Sequence, residues 1–255
     1  MRRKASCLLP FAFLVILSIF VDACFAEDIL QDFKNIKRDY KNFYLDGNNL
    51  IALSAGIGVS GILANTSADR EIQEYYHGRI RDKLTDSISE ASKVPGEVFI
   101  TVPALIGTRF LFKDTAASEW SQKSLRAIIV GAPAGLFIQR ATGASRPYED
   151  DPKWRPFRDN NGLSGHAFIG AVPFITAARM NDNAYIKGIL YGLSFLPALS
   201  RINDDKHYLS QAALGWYLAF LSCNAVEKTD SKNKTVFLIT PLSNRAVGIF
   251  ISHSF

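Results

Sequence analysis

Two histidines, three arginines, a serine and a glycine stand at the ends of apolar segments in the second half of this chain. They fall in three polar clusters: residues 139–147 (QRATGASRP), 163–166 (LSGH) and 200–211 (SRINDDKHYLSQ). Arginine carries a planar fork of donors that matches phosphate oxygens, and it stays charged at any working pH. A serine followed by glycine at a helix start offers a hydroxyl and free backbone N–H groups to an anion. Two histidines can divide the labour of nucleophile and general acid. Together these types suggest a phosphoryl group held by positive donors and attacked by imidazole. The sequence has no Cys/His cluster, no HExxH and no EF-hand pattern, so neither a metal nor another cofactor is implied.

The three clusters resemble the signature of the type-2 phosphatidic acid phosphatase superfamily, which includes bacterial class A acid phosphatases and vanadium haloperoxidases. That signature is Lys-x6-Arg-Pro, then Pro-Ser-Gly-His, then Ser-Arg-x5-His-x3-Asp. Here Arg146-Pro147 is followed after 15 residues by Leu163-Ser164-Gly165-His166. Another 33 residues separate His166 from Ser200-Arg201, and His207 stands six after Arg201. Arg155-Pro156 stands too close to Ser164 to serve as the first motif. The resemblance implies His207 as the nucleophile and His166 as the general acid. It implies Arg146, Arg201, Ser164 and the Gly165 amide as the phosphate cradle. Three positions depart from the pattern. Gln139 replaces Lys, with Arg140 adjacent as a substitute phosphate ligand. Leu163 replaces Pro. Gln211 replaces the Asp that would orient His207; it can still accept the imidazole N–H but supplies no negative charge, for which Asp204 or Asp205 is the candidate substitute.

The elements that must position these residues read as helices. Apolar residues recur at spacings of three and four over residues 27–44 and 70–93, the pattern of amphipathic helices on the outside of a bundle. Apolar runs at 51–64, 98–112, 127–138, 188–199 and 212–226 fall short of the ~20 residues needed to cross a bilayer and read as buried helices of a soluble or surface-associated bundle. Between them, residues 140–162 form a polar, proline-containing stretch with five cationic residues, long enough to suggest function. In it, Arg158 and Asp159 read as a solvated surface pair, and Trp154 and Phe157 as cover for the site or as packing. His77 and His253 lie outside the motifs and read as structural. After a charged linker, β-branched runs at 236–239 and 247–251 flank residues 241–245, a hairpin expected to pack on the bundle.

The 255 residues are 48% hydrophobic and 21% charged with net charge +5, which excludes a disordered chain and suits one sizeable core. The mild positive charge shows no patch or motif of the nucleic-acid type. A basic start, an apolar run and Cys24-Phe25-Ala26 form the pattern of a signal peptide cleaved after Ala26, which leaves Cys223 as the one cysteine. The expected organisation is therefore a signal peptide (1–26), an all-α phosphatase bundle (27–229), and a linker with a short C-terminal β-hairpin (230–255). The expected function is metal-independent hydrolysis of phosphomonoesters or pyrophosphates, with lipid phosphates favoured, in an exported, periplasmic and membrane-associated setting. Two alternatives stay open: a broad acid phosphatase acting on soluble esters, and a non-catalytic phosphate-binding member.

Overall fold

The computed structural model describes residues 30–232, 235–243 and 246–253. The predicted signal segment lies outside the described residues. The chain runs through α1 (described over 30–44), α2 (Gly47–Asn65), α3 (Ala68–Arg79), α4 (Lys83–Ser92), a 3-10 turn (Val94–Gly96), α5 (Val98–Leu111) and α6 (Ala116–Thr142). A second 3-10 turn (Pro147–Glu149) follows, then α7 (Gly165–Arg179), α8 (Ala184–Ser194), α9 (Leu196–Asn203) and α10 (Leu209–Lys232). Local chemistry sets several starts. Asp46 caps α2, Asp82 and Thr85 form a reciprocal capping box on α4, and Ser164 caps α7. The continuous pattern over 70–93 is thus two helices, parted by a turn that ends in the Asp82 cap.

The core lies where α10 packs on α6 and α7. Val130, Ala171, Val172, Leu214, Leu218 and Ala219 are wholly or almost wholly buried there. The alanines let the helix backbones approach closely while the branched side chains fill the space between them. At the end of the bundle away from the histidines, Arg126 binds both carboxylate oxygens of Asp39 at 2.8 Å and reaches Asp230 at 2.8 Å. These bonds tie α1 and α10 to α6. Arg126 and Asp39 are both buried, and a charge taken out of water requires such a partner.

Two expectations about these elements are corrected. The apolar helices are not all buried. In α2 Ile51, Val59 and Ile62 are 59–70% exposed, and Phe99 and Leu111 in α5, Leu136 and Phe137 in α6, and Tyr185 and Ile189 in α8 are 62–89% exposed. The runs also extend further than apolar residues alone suggest. The Asp46 cap starts α2 before Ile51 and makes it 19 residues long, so α2 and the segment from Ala116 to Glu149 are long and apolar enough to cross a membrane. The bent pair Lys83–Gly96 and Val98–Leu111, at 56°, would make a third crossing if it acts as one span. A helix that carries apolar residues on its outer face suits lipid rather than water.

The second correction concerns the β-hairpin. The fold is helical: among the described residues up to Lys232 no strand occurs, and no β element is part of the bundle. The strand pairing after it, Thr235–Ser243 with Ala246–His253, is antiparallel and two-stranded, with each strand paired only to the other. The pairing runs through Pro241, opposite Val247, so residues 241–243 belong to a strand rather than to a turn.

Candidate active site

The C-terminus of α6, the N-terminus of α7, the C-terminus of α9 and the N-terminus of α10 meet at one end of the bundle and bring the three clusters together. Gln139, Arg146, Gly165, His166 and His207 line one pocket, joined by Asn161. Close backbone approach makes this geometry. A side chain at Gly215 of α10 would stand 2.3 Å from the Ser164 carbonyl oxygen, so only glycine lets α10 come this near the cap of α7. The Ser164 N–H in turn donates to the Gln211 carbonyl at 2.9 Å.

His207 stands just before α10, and Gln211 orients it. Gln211 Oε1 lies 2.9 Å from His207 Nδ1 and also accepts the Tyr208 N–H at 3.2 Å, while Gln211 Nε2 donates to the Ser145 carbonyl at 2.7 Å. A backbone N–H can only donate and a carbonyl can only accept, so these partners fix which end of the amide is oxygen. Nδ1 therefore carries the proton, and Nε2 holds a lone pair. The imidazole pKa is pushed down to about 4, above all by burial; the Gln211 bond opposes the shift, and the charges of Arg146, Arg201 and His166 add to it. The ring is neutral at neutral pH, the form in which it can attack.

The cationic groups are held by their neighbours. Arg146 Nε donates to Asn161 Oδ1 at 3.0 Å, and Asn161 Nδ2 donates to Asp159 at 2.7 Å. Arg201 is buried and donates to Asp204 at 2.7 Å; desolvation lowers its pKa, opposed by the charges of Asp204 and Glu97. The Ser164 hydroxyl oxygen accepts the Ala167 N–H at 3.3 Å, which leaves its O–H to donate, and the first amides of α7 have no helical partner. Gln139 Nε2 donates to the Leu163 carbonyl at 2.9 Å and lies beside Gly165, a neutral donor where a lysine would bring charge.

Other predicted residues sit elsewhere. Arg140 is exposed and lines a neighbouring pocket with Phe157 and Arg158, not the one that holds the histidines. Asp204 faces Arg201 and Ser89; Asp205 faces Gln73, His77 and Arg81. Neither supplies the charge that Gln211 lacks. Arg158 lies nearest Asp151, at 3.9 Å, and does not pair with Asp159. Trp154 packs on the α2 backbone at Gly61, while Phe157 is 76% exposed beside the Arg140 pocket.

Sequence reasoning missed Glu97 and Asp69. Glu97 precedes α5 and lies 3.0 Å from His166 Nε2, without hydrogen-bond alignment. Asp69, fully buried in α3, accepts the N–H and hydroxyl of Ser210, and desolvation raises its pKa. No local motif links position 97 to 166 or 69 to 210; the one signal was the break Pro95-Gly96 that sets Glu97 before an apolar run.

Residues 111–234 match the family model of the PAP2 superfamily. Over this span, just under half of its length, the chain is similar to the PAP2 superfamily. Comparison with curated proteins and with solved structures gives no match. PAP2 members are phosphatases and phosphoesterases, so the family points to action on phosphate esters. The PAP2 match contains all three clusters and leaves out α1 to α4, Glu97 and Asp69.

Proposed function

We propose that this protein is a metal-independent phosphatase that works through a phosphohistidine on His207, with lipid phosphates as its preferred esters. The observation that carries the reading is the neutral, buried His207, its Nδ1 held by Gln211 and its surroundings charged by Arg146 and Arg201. In the first step His207 Nε2 bonds to phosphorus as the bond from phosphorus to the leaving oxygen breaks. His166 gives that oxygen its proton. In the second step water attacks phosphorus, the N–P bond breaks, and His166 takes the water's proton. Charge that builds on the phosphoryl oxygens meets Arg146, Arg201, the Ser164 hydroxyl and the α7 amides, donors already in place before the reaction.

The apolar outer faces of α2, α5 and α8 support a lipid setting, since they would hold this end of the bundle beside the headgroups. Residues 1–26 act in this reading as an export signal, and residues 27–229 form the phosphatase domain. The test is phosphate release from lipid and soluble phosphate esters in EDTA, with rapid-quench capture of a phosphoenzyme. The expected result is an acid-labile, alkali-stable phosphoenzyme that His207→Ala abolishes together with turnover. Turnover that survives His207→Ala would overturn the mechanism. Phosphate binding with no turnover of any ester would overturn the enzymatic reading.

A further inference from the structure

A second pocket opens beside the catalytic one. Arg140, Phe157, Arg158, Asp159 and Asn160 line it, and Asn160 also lines the catalytic pocket, so the two share a wall. Its two arginines are 18 positions apart in the sequence. They meet because the loop after α6 folds back on the last turn of that helix. The Phe157 N–H donates to the Arg140 carbonyl at 2.8 Å. Gly143 ends α6 with φ +60°, and a side chain there would lie 1.9 Å from the Arg155 carbonyl oxygen. Phe157 itself has φ +65°, an unfavourable conformation for a bulky residue and one that tends to persist at functional positions.

The two arginines of this pocket are exposed and at most loosely paired. Arg140 is exposed and makes no ion pair among the described residues. Arg158 has its nearest carboxylate, Asp151, at 3.9 Å, and Asp151 is held more closely by Arg155 at 2.8 Å. The pocket's own carboxylate, Asp159, is turned to the dividing wall, where it accepts the Asn160 N–H at 2.6 Å and Asn161 Nδ2 at 2.7 Å. Asn161 is the residue that holds Arg146. A pocket lined by Arg146 and one lined by Arg140 and Arg158 therefore adjoin at Asn160.

We propose that Arg140 and Arg158 form a second anion subsite, which takes the neighbouring phosphoryl group of a substrate with two linked phosphates, such as a diphosphate ester. The proposal rests on the phosphatase reading above and narrows its substrate class. In such a substrate His207 Nε2 bonds to the terminal phosphorus and the bridging P–O bond breaks. The electron pair goes to the bridging oxygen of the departing monophosphate ester, which His166 protonates. Water then cleaves the N–P bond. Arg140 and Arg158 balance the charge that builds on the departing phosphate, an interaction strongest in the transition state.

The full chain in detergent tests this with a diphosphate ester and the monophosphate ester of the same alcohol, in a long-chain pair (dodecyl) and a short-chain pair (ethyl). The readout is the ratio of kcat/KM for diphosphate over monophosphate. Arg140 holds the loop through its carbonyl, so Arg140→Ala leaves that staple in place. The expected result is a wild-type ratio above one that falls at least tenfold in Arg140→Ala/Arg158→Ala, in whichever pair is turned over. A ratio unchanged within twofold overturns the subsite and leaves the phosphatase reading intact. Calorimetric binding of inorganic pyrophosphate against inorganic phosphate tests the subsite without turnover. Pyrophosphate should bind at least tenfold more tightly, and the double variant should lose that advantage. Equal affinities overturn the subsite, whereas tight pyrophosphate binding by a protein that hydrolyses no ester upholds it and overturns the phosphatase reading alone.

Discussion

Replacing Gln211 by glutamate puts a negative charge where the superfamily signature has aspartate and keeps the length of the side chain. Oε1 can stay 2.9 Å from His207 Nδ1, so a carboxylate would face the proton that the imidazole already carries. At ~4 Å between charge centres and an effective dielectric of ~20, the attraction to an imidazolium is about 4 kcal/mol. Two costs oppose it. Gln211 is fully buried, and its Nε2 bond to the Ser145 carbonyl would become an oxygen–oxygen contact; leaving a buried acceptor without its donor costs about 1–3 kcal/mol. The net effect still favours the protonated ring. Wild-type His207 titrates near 4, so its acid limb should lie there. Gln211→Glu should move the acid limb of kcat/KM upward by roughly one to two pH units. It should also lower the melting temperature through the lost Ser145 bond. The assay is a pH series on a chromogenic phosphate ester, paired with an NMR titration of the ring. An acid limb unmoved by Gln211→Glu in a folded protein would refute the assignment of Gln211 as the partner of Nδ1.

His207 also predicts a stability window. The unfolded ring takes a proton near 6.5 and the native ring near 4, so between these values the unfolded state binds more protons and stability falls as pH drops. Wild type should lose melting temperature across that window faster than His207→Gln, at a slope of at most about 1.4 kcal/mol per pH unit. Glu97→Gln removes a negative charge from the side of His166; inorganic phosphate should inhibit roughly three- to tenfold more strongly, from about 1 kcal/mol of relieved repulsion. Asp39→Ala leaves Arg126 buried without its bidentate partner and should cost about 3–5 kcal/mol in chemical denaturation. Gly143→Ala drives a side chain into the Arg155 carbonyl and should free the loop to protease cleavage between 150 and 158.

The site's contributors were legible where the chemistry is local. Ser164, Gly165 and His166 are contiguous at a helix start, and His207 and Gln211 are four apart, a spacing that the family resemblance marked as a pair. Arg140 shows the limit of that logic. It follows Gln139 directly, but successive helix positions point about 100° apart, and one faces the histidines while the other faces the next pocket. Glu97 and Asp69 were illegible because their partners lie 69 and 141 positions away. The helical class was readable from periodicity. Burial was not, because an apolar run reads alike whether protein or lipid covers it.

The grip of α3 and α4 on the segment before α10 bears on how far the family match can be transplanted. Asp69 holds Ser210, Gln73 holds Asp205 and the Ile202 carbonyl, Tyr76 and Asp86 hold Asn203, and Ser89 holds Asp204. All five gripping residues precede the matched span, which begins at residue 111. A fragment cut at that border would keep His207 and lose the scaffold that sets its loop. Grafting residues 111–234 onto another chain would therefore carry over the chemistry's components without their alignment, and chimeras should work only when the donor's α3 and α4 travel with them.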